Sequence, residues 1–222
     1  FEDLGVIEFS LDYMVYDKAH DWANYPKAVI KTFENHGYRT EHGFDILFYG
    51  NIPNGAGLSS SAALEVLMAY IILYLENPEK IDRVEVAKLC QKVENEFVGV
   101  NCGIMDQFAV AVGKKDHAIL LDCASLYYEY APLNLGEYSL VIMSTNKRRE
   151  LADSKYNERR AECEKALAII NSNKERKLEN LCQATLDDIE KFITDETIKR
   201  RAVHVVSENE RVKMSMEMLK NN

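Results

Sequence analysis

The chain has 222 residues, 47% of them apolar, and a formal net charge of −9. That length and apolar content suffice for a real core, in one large or two smaller domains. The acidic balance argues against nucleic acid as a partner, since no basic face is left to neutralise phosphates.

In chain order, strand signals fall at 6–10 and 44–49, with a helix over 22–35 between them. Further helices are expected over 58–75, 84–97 and 103–112, and further strands over 117–122, 127–131 and 138–144. Beyond Thr145 the pattern is helical almost throughout, with long helices over 151–170 and 197–219. Pro132-Leu-Asn-Leu-Gly136 is the expected junction, dividing the chain into residues 1–134 and 135–222. The fold class is α+β with two domains: a mixed sheet with helices first, then a largely helical, incomplete second domain. The apolar stretch 62–75 contains Glu65 and is too short to span a bilayer, so it reads as a buried core helix and no membrane partner is expected.

Charge is unevenly spread. Residues 1–145 carry 10 basic and 21 acidic side chains (−11), and residues 146–222 carry 17 and 15 (+2). The basic run Lys147-Arg148-Arg149 stands alone, whereas Arg159-Arg160 and Lys199-Arg200-Arg201 interleave with acids as solvated helix faces do. Five cysteines, at 90, 102, 123, 163 and 182, form no Cys-x-x-Cys pair. An odd count at that spacing fits reduced, cytoplasmic thiols and neither a disulfide framework nor a zinc site. Cys102 is read as a small packing residue.

The densest chemical signal is Asn51-Ile-Pro-Asn-Gly-Ala-Gly-Leu-Ser-Ser-Ser61, between the 44–49 strand signal and an apolar helix. A glycine-rich turn entering a helix presents unpaired backbone N–H groups and the positive end of the helix dipole, which suits phosphate. Gly55 and Gly57 permit positive φ and close ligand approach. Two familiar phosphate loops fail: no lysine completes a Walker sequence, and Ser60 stands where a dinucleotide fingerprint needs glycine. A plain turn followed by a serine N-cap is the structural alternative. No lysine or arginine lies between Arg39 and Lys80, so a phosphate here needs backbone N–H groups, hydroxyls and a divalent cation. Mg²⁺ takes few protein ligands and completes its shell with phosphate oxygens and water.

A carboxylate for that cation is expected from Val93-Glu94-Asn95-Glu96. Glu94 adjoins the apolar stripe of its helix and Glu96 lies farther round. Asp106 opens the next helix after a Gly99/Gly103 break, a position that also suits simple dipole stabilisation.

These segments resemble the GHMP sugar and metabolite kinases, and in particular the galactokinase family. The resemblance is carried by Gly50 to Glu65, by Asn101-Cys-Gly-Ile-Met-Asp-Gln-Phe108, and by Lys115 to Cys123. Trp22 to Lys27, Thr145 to Arg160 and Arg201 to Arg211 add to it, in order and at family spacing. It implies the two-domain kinase fold with the site in the cleft. It further implies that Gly55, Ala56, Gly57, Leu58, Ser59, Ser60 and Ser61 wrap the ATP phosphates, and that Ser61 and Glu94 hold Mg²⁺. Asp106 then faces the anomeric hydroxyl as the catalytic acid group, as general base or as orienting group. Gly103 and Tyr156 contact the sugar, and Arg148 matches a basic position near the site. The implied reaction is transfer of the ATP γ-phosphoryl group to α-D-galactose, giving galactose 1-phosphate. A related sugar 1-kinase, such as one acting on N-acetylgalactosamine, is the alternative within the class, and a non-catalytic galactose- and ATP-sensing regulator is the alternative outside it. No oligomer is implied. The chain departs from the family pattern by lacking its N-terminal sugar motif and its C-terminal glycine-rich motif, so it reads as an internal segment expected to be inactive alone.

Overall fold

The computed structural model describes residues 5–38, 42–53, 56–76, 81–143 and 154–221. By internal contacts the chain divides into two compact units. The first contains residues 1–115, 121–128 and 135–151; the second contains 116–120, 129–134 and 152–222.

The first unit is built on four α-helices. A short 3-10 turn, Lys18–Ala23, leads into α1 (Asn24–Asn35), where a single α-helix from residue 22 was expected. Asn24 makes that junction: its amide donates to the Asp17 and Asp21 carbonyls at 2.7 and 3.0 Å, and its Oδ1 accepts from the Asp17 N–H at 3.1 Å. Pro26 fits because it stands in the first helical turn, where its missing N–H has no intrahelical partner to lose. Helix α2 (Ser60–Glu76) buries Val66, Met68, Ala69 and Ile72. Asp82 caps α3 (Arg83–Lys92), accepting from the N–H groups of Val84 and Glu85 at 2.8 and 3.2 Å. Helix α4 (Met105–Val112) buries Phe108, Ala111 and Val112. Helices α1, α2, α3 and α4 pack around a core that includes Val29, Phe33, Met68, Leu89, Cys90 and Phe108.

The expected 84–97 helix is not uniform. After Lys92 the backbone widens into a π turn, Val93–Val98, closed by Gly99 at φ 85°. The Glu94 carbonyl accepts from both Gly99 and Val100, at 2.9 and 3.0 Å. Gly99 tolerates this left-handed conformation because it lacks a Cβ.

Two of the expected strands form: β1 (His117–Leu121) and β2 (Tyr128–Pro132) pair as a hairpin, closed at its loop by the Asp122 N–H to Tyr127 carbonyl bond of 2.9 Å. The other three do not. Residues 6–10 and 44–49 and the described part of 138–144 carry no strand pairing, so the mixed sheet expected from sequence is, among the described residues, a two-stranded one. Strand signals record side-chain alternation, whereas a strand also needs a partner edge to hydrogen-bond. The alternation itself survives: Phe48 is buried and meets Trp22 edge-on at 5.7 Å, while Leu47 and Tyr49 on either side are exposed.

The second unit holds α5 (Ser154–Asn173), α6 (Leu186–Phe192) and α7 (Glu196–Lys220) around Ala166, Ile170, Ile189, Ile198, Ala202 and Val206. Helix α7 matches its expected 197–219 span within a residue at each end. Arg201 of α7 pairs with Glu162 of α5 at 2.6 Å. No described helix is long and apolar enough to cross a membrane.

Candidate active site

The first unit brings three acidic side chains within interacting range: Glu65 of α2, Glu94 of the π turn and Asp106 of α4. Ser61, in the first turn of α2, hydrogen-bonds the Glu94 carboxyl. Glu94 is buried, as is Glu65, one turn after Ser61 on the same face of α2. Gln107 of α4 is buried with them, and its Nε2 donates to Glu65 Oε2 at 3.3 Å. Asp106, beside it in sequence, is partly exposed, and its charge reaches both glutamates.

Electrostatics follow from this crowding. Burial is the first cause that pushes the Glu65 carboxyl well above its ordinary range, with the charge of Glu94 next; the Gln107 bond opposes both. Burial also raises Glu94, but hydrogen bonds from Ser61 and Glu65 favour its ionised form. With both groups ionised, Glu65 Oε1 and Glu94 Oε2 would be buried acceptors without a donor. A hydrogen bond between the two carboxyls, which raises Glu65 and favours the ionised form of Glu94, relieves this. Neighbouring groups register the same field. The Tyr25 hydroxyl is pushed up by burial and by Glu94 and Glu65. Burial and the same acids push the Cys102 thiol up to about 12.

The loop before α2 turns through two left-handed residues. Gly57 and Ser59 both adopt positive φ, 75° and 56°. Such a conformation is uncommon outside glycine, and at Ser59 it is held by the helix that starts on it: the Ala63 N–H bonds the Ser59 carbonyl at 2.9 Å. The N–H groups of the first turn of α2 are then left without intrahelical acceptors.

Of the residues singled out from sequence, the fold therefore brings together Ser61, Glu94 and Asp106, with Ala56, Gly57, Leu58, Ser59 and Ser60 on the adjoining loop. Glu96 is exposed, away from the buried acids. Gly103 is exposed, and a Cβ there would meet nothing within 4 Å, so packing does not account for glycine at this position. Gly55 and Arg148 lie outside the described residues. Tyr156 belongs to the second unit, in the first turn of α5 and 48% exposed. Cys102 has its thiol against Asn95 Oδ1 at 3.6 Å and is held protonated, as a packing residue would be.

Sequence reasoning missed Glu65, Gln107 and Tyr25. A signal existed for the first: an acid four residues after Ser61 in an apolar helix falls on the same face. Gln107 and Tyr25 carried none.

As a donor set, Ser61 and Glu94 offer hard oxygens side by side, which suits Mg²⁺. Among the described residues no three His, Cys, Asp or Glu side chains form a metal-holding group. A cation here would therefore depend on few protein oxygens and on phosphate.

Residues 24–114 match the N-terminal domain of the GHMP kinases. The chain is similar to particular proteins well beyond that span. It is 57% identical to the galactokinase of Fusobacterium nucleatum over 99% of its length, and 54% identical to that of Clostridium beijerinckii over 100%. Among solved structures, Lactococcus lactis galactokinase complexed with galactose is 41% identical and superposes with a TM-score of 0.88 over the whole chain. The chain spans 57% of the length of each of these proteins.

Proposed function

We propose that the complete protein is a galactokinase, transferring the γ-phosphoryl group of ATP to the anomeric hydroxyl of α-D-galactose. The observation that carries this is the convergence of Ser61, Glu94 and Asp106, from three segments, beside a strained Gly-Ser loop. The likeness to galactokinases along the whole chain supports the choice of sugar.

Phosphoryl transfer asks little covalent chemistry of the protein, only positioning and charge stabilisation. The loop from Gly55 to Ser61 would hold the β- and γ-phosphates on backbone N–H groups and serine hydroxyls. Ser61 and Glu94 would hold Mg²⁺, which when bound offsets phosphate charge. Asp106 would accept a hydrogen bond from the anomeric hydroxyl and aim its oxygen at the γ-phosphorus. The new P–O bond forms at that oxygen, the bond to the ADP oxygen breaks, and the hydroxyl proton leaves toward the Asp106 carboxylate or solvent. Gly103 and Tyr156 would contact the sugar, and Arg148 would add positive charge. Five cysteines, an odd count with no Cys-x-x-Cys pair, fit a cytoplasmic setting.

The test is ADP production by the complete protein with Mg²⁺-ATP across a sugar panel. Galactose-dependent turnover is expected. Preference for N-acetylgalactosamine would reassign the substrate, and binding of both ligands without turnover would make the protein a sensor. Glu94→Gln should raise the Mg²⁺ concentration for half-maximal activity, and Glu96→Gln should not; equal effects would show the wrong carboxylate was chosen.

A further inference from the structure

Helix α2 is apolar for most of its length, yet Glu65 is completely buried in it. A leucine at that position would fill the space with no carboxyl to desolvate. What the carboxyl contributes comes through its hydrogen bonds, and both partners belong to the site. One is the Gln107 amide, 42 residues away and adjacent to Asp106; the other is Glu94. Glu65 thus links the helix that starts at the phosphate loop to the helix that carries Asp106, through the carboxylate that faces Ser61.

We propose that Glu65 is a positioning residue for the metal carboxylate: clamped by Gln107, it holds Glu94 against Ser61 and sets α4 against α2. This role rests on Glu94 being the Mg²⁺ ligand. Glu65 itself is walled off from solvent and is not assigned a contact with ATP, metal or sugar. Partners that orient metal ligands in this way typically change metal affinity by about 10- to 100-fold when removed.

The experiment is Mn²⁺ binding to the complete protein with ADP, followed by electron paramagnetic resonance, with thermal unfolding as a check on folding. Glu65→Leu should weaken Mn²⁺ binding by about 10-fold or more. Glu65→Gln should bind within about threefold of wild type, because its amide has the same shape and can both accept from Gln107 and donate to Glu94. Gln107→Met, which removes the clamp but keeps the volume, should weaken binding in the same direction, and decides the matter if Glu65→Leu does not fold. Unchanged Mn²⁺ affinity in a folded Glu65→Leu or Gln107→Met variant would overturn the role. So would Glu65→Gln failing as badly as Glu65→Leu, since restoration by the amide is what separates positioning from filling space. Glu94→Gln is the control: if it binds Mn²⁺ normally, the metal assignment and this role both fall. If only Glu94→Gln weakens binding, this role alone fails.

Discussion

Asp106 occupies the first turn of α4 with partial exposure, while its sequence neighbour Gln107 is buried. In the proposed reaction this acid meets the substrate hydroxyl. Asp106→Asn in the complete protein should then lower kcat by about 10²- to 10⁴-fold and leave ATP affinity near wild type, because the proposed role is toward the acceptor and not the nucleotide. Steady-state kinetics with a separate ATP-binding measurement check it, and near-normal kcat would remove Asp106 from the chemistry. Cys102 gives a second residue-scale expectation. With its thiol pushed up to about 12, it should react with iodoacetamide at pH 8 at least about 100-fold more slowly than free cysteine, as followed by mass spectrometry.

At the scale of elements, the π turn decides where Glu94 points. Its closure depends on Gly99 at φ 85°, a conformation that costs a residue with a Cβ about 1–2 kcal/mol. Nothing lies within 4 Å of the missing Cβ, so the cost of Gly99→Ala is in the backbone and not in a clash. The variant should lose about 1–2 kcal/mol in urea unfolding and need more Mg²⁺, because both hydrogen bonds to the Glu94 carbonyl come from Gly99 and Val100. Helix α6 depends on a different device. Thr185 Oγ1 accepts from the Asp188 N–H at 3.1 Å, and the Thr185 N–H donates back to Asp188 Oδ2 at 3.0 Å. Lys174 adds two bonds to the same carboxylate at 2.9 Å, and these are the first cause holding its pKa below the ordinary carboxylate value. A depressed folded pKa means stability that is complete above the unfolded value, about 3.9, and is lost as pH falls through the lower folded one. Asp188→Asn should therefore cost about 1 kcal/mol at pH 7, and the gap from wild type should close as acid protonates the wild-type carboxyl. Urea unfolding across that pH range measures it.

For the whole molecule, the exposed apolar side chains outside the helices and the hairpin matter most. Leu47 and Tyr49 are exposed, and so is the run of Leu140, Val141, Ile142 and Met143. Clustered exposed apolar residues favour association. We expect residues 1–222 alone to self-associate by light scattering and to make no galactose-dependent ADP, since transfer needs all its groups in near-attack geometry at once. A monodisperse, active preparation of this chain would refute that.

The features legible in the sequence were those written in adjacent residues. The Gly-Ser turn into an apolar helix, the burial of Glu94 against the exposure of Glu96, and the span of α7 all depend on local φ/ψ preference and 3.6-residue periodicity. What only the tertiary structure decided depends on residues far apart in the chain. Whether a strand signal becomes a strand is settled by a partner edge, which is why 117–121 and 128–132 pair and 44–49 does not. How far the Glu65 carboxyl is pushed from its ordinary range is decided by burial and by Glu94 and Gln107, which lie 29 and 42 residues along the chain from it. Periodicity carries no information about such neighbours, because a carboxyl's charge state is set by the dielectric and the groups that folding brings to it.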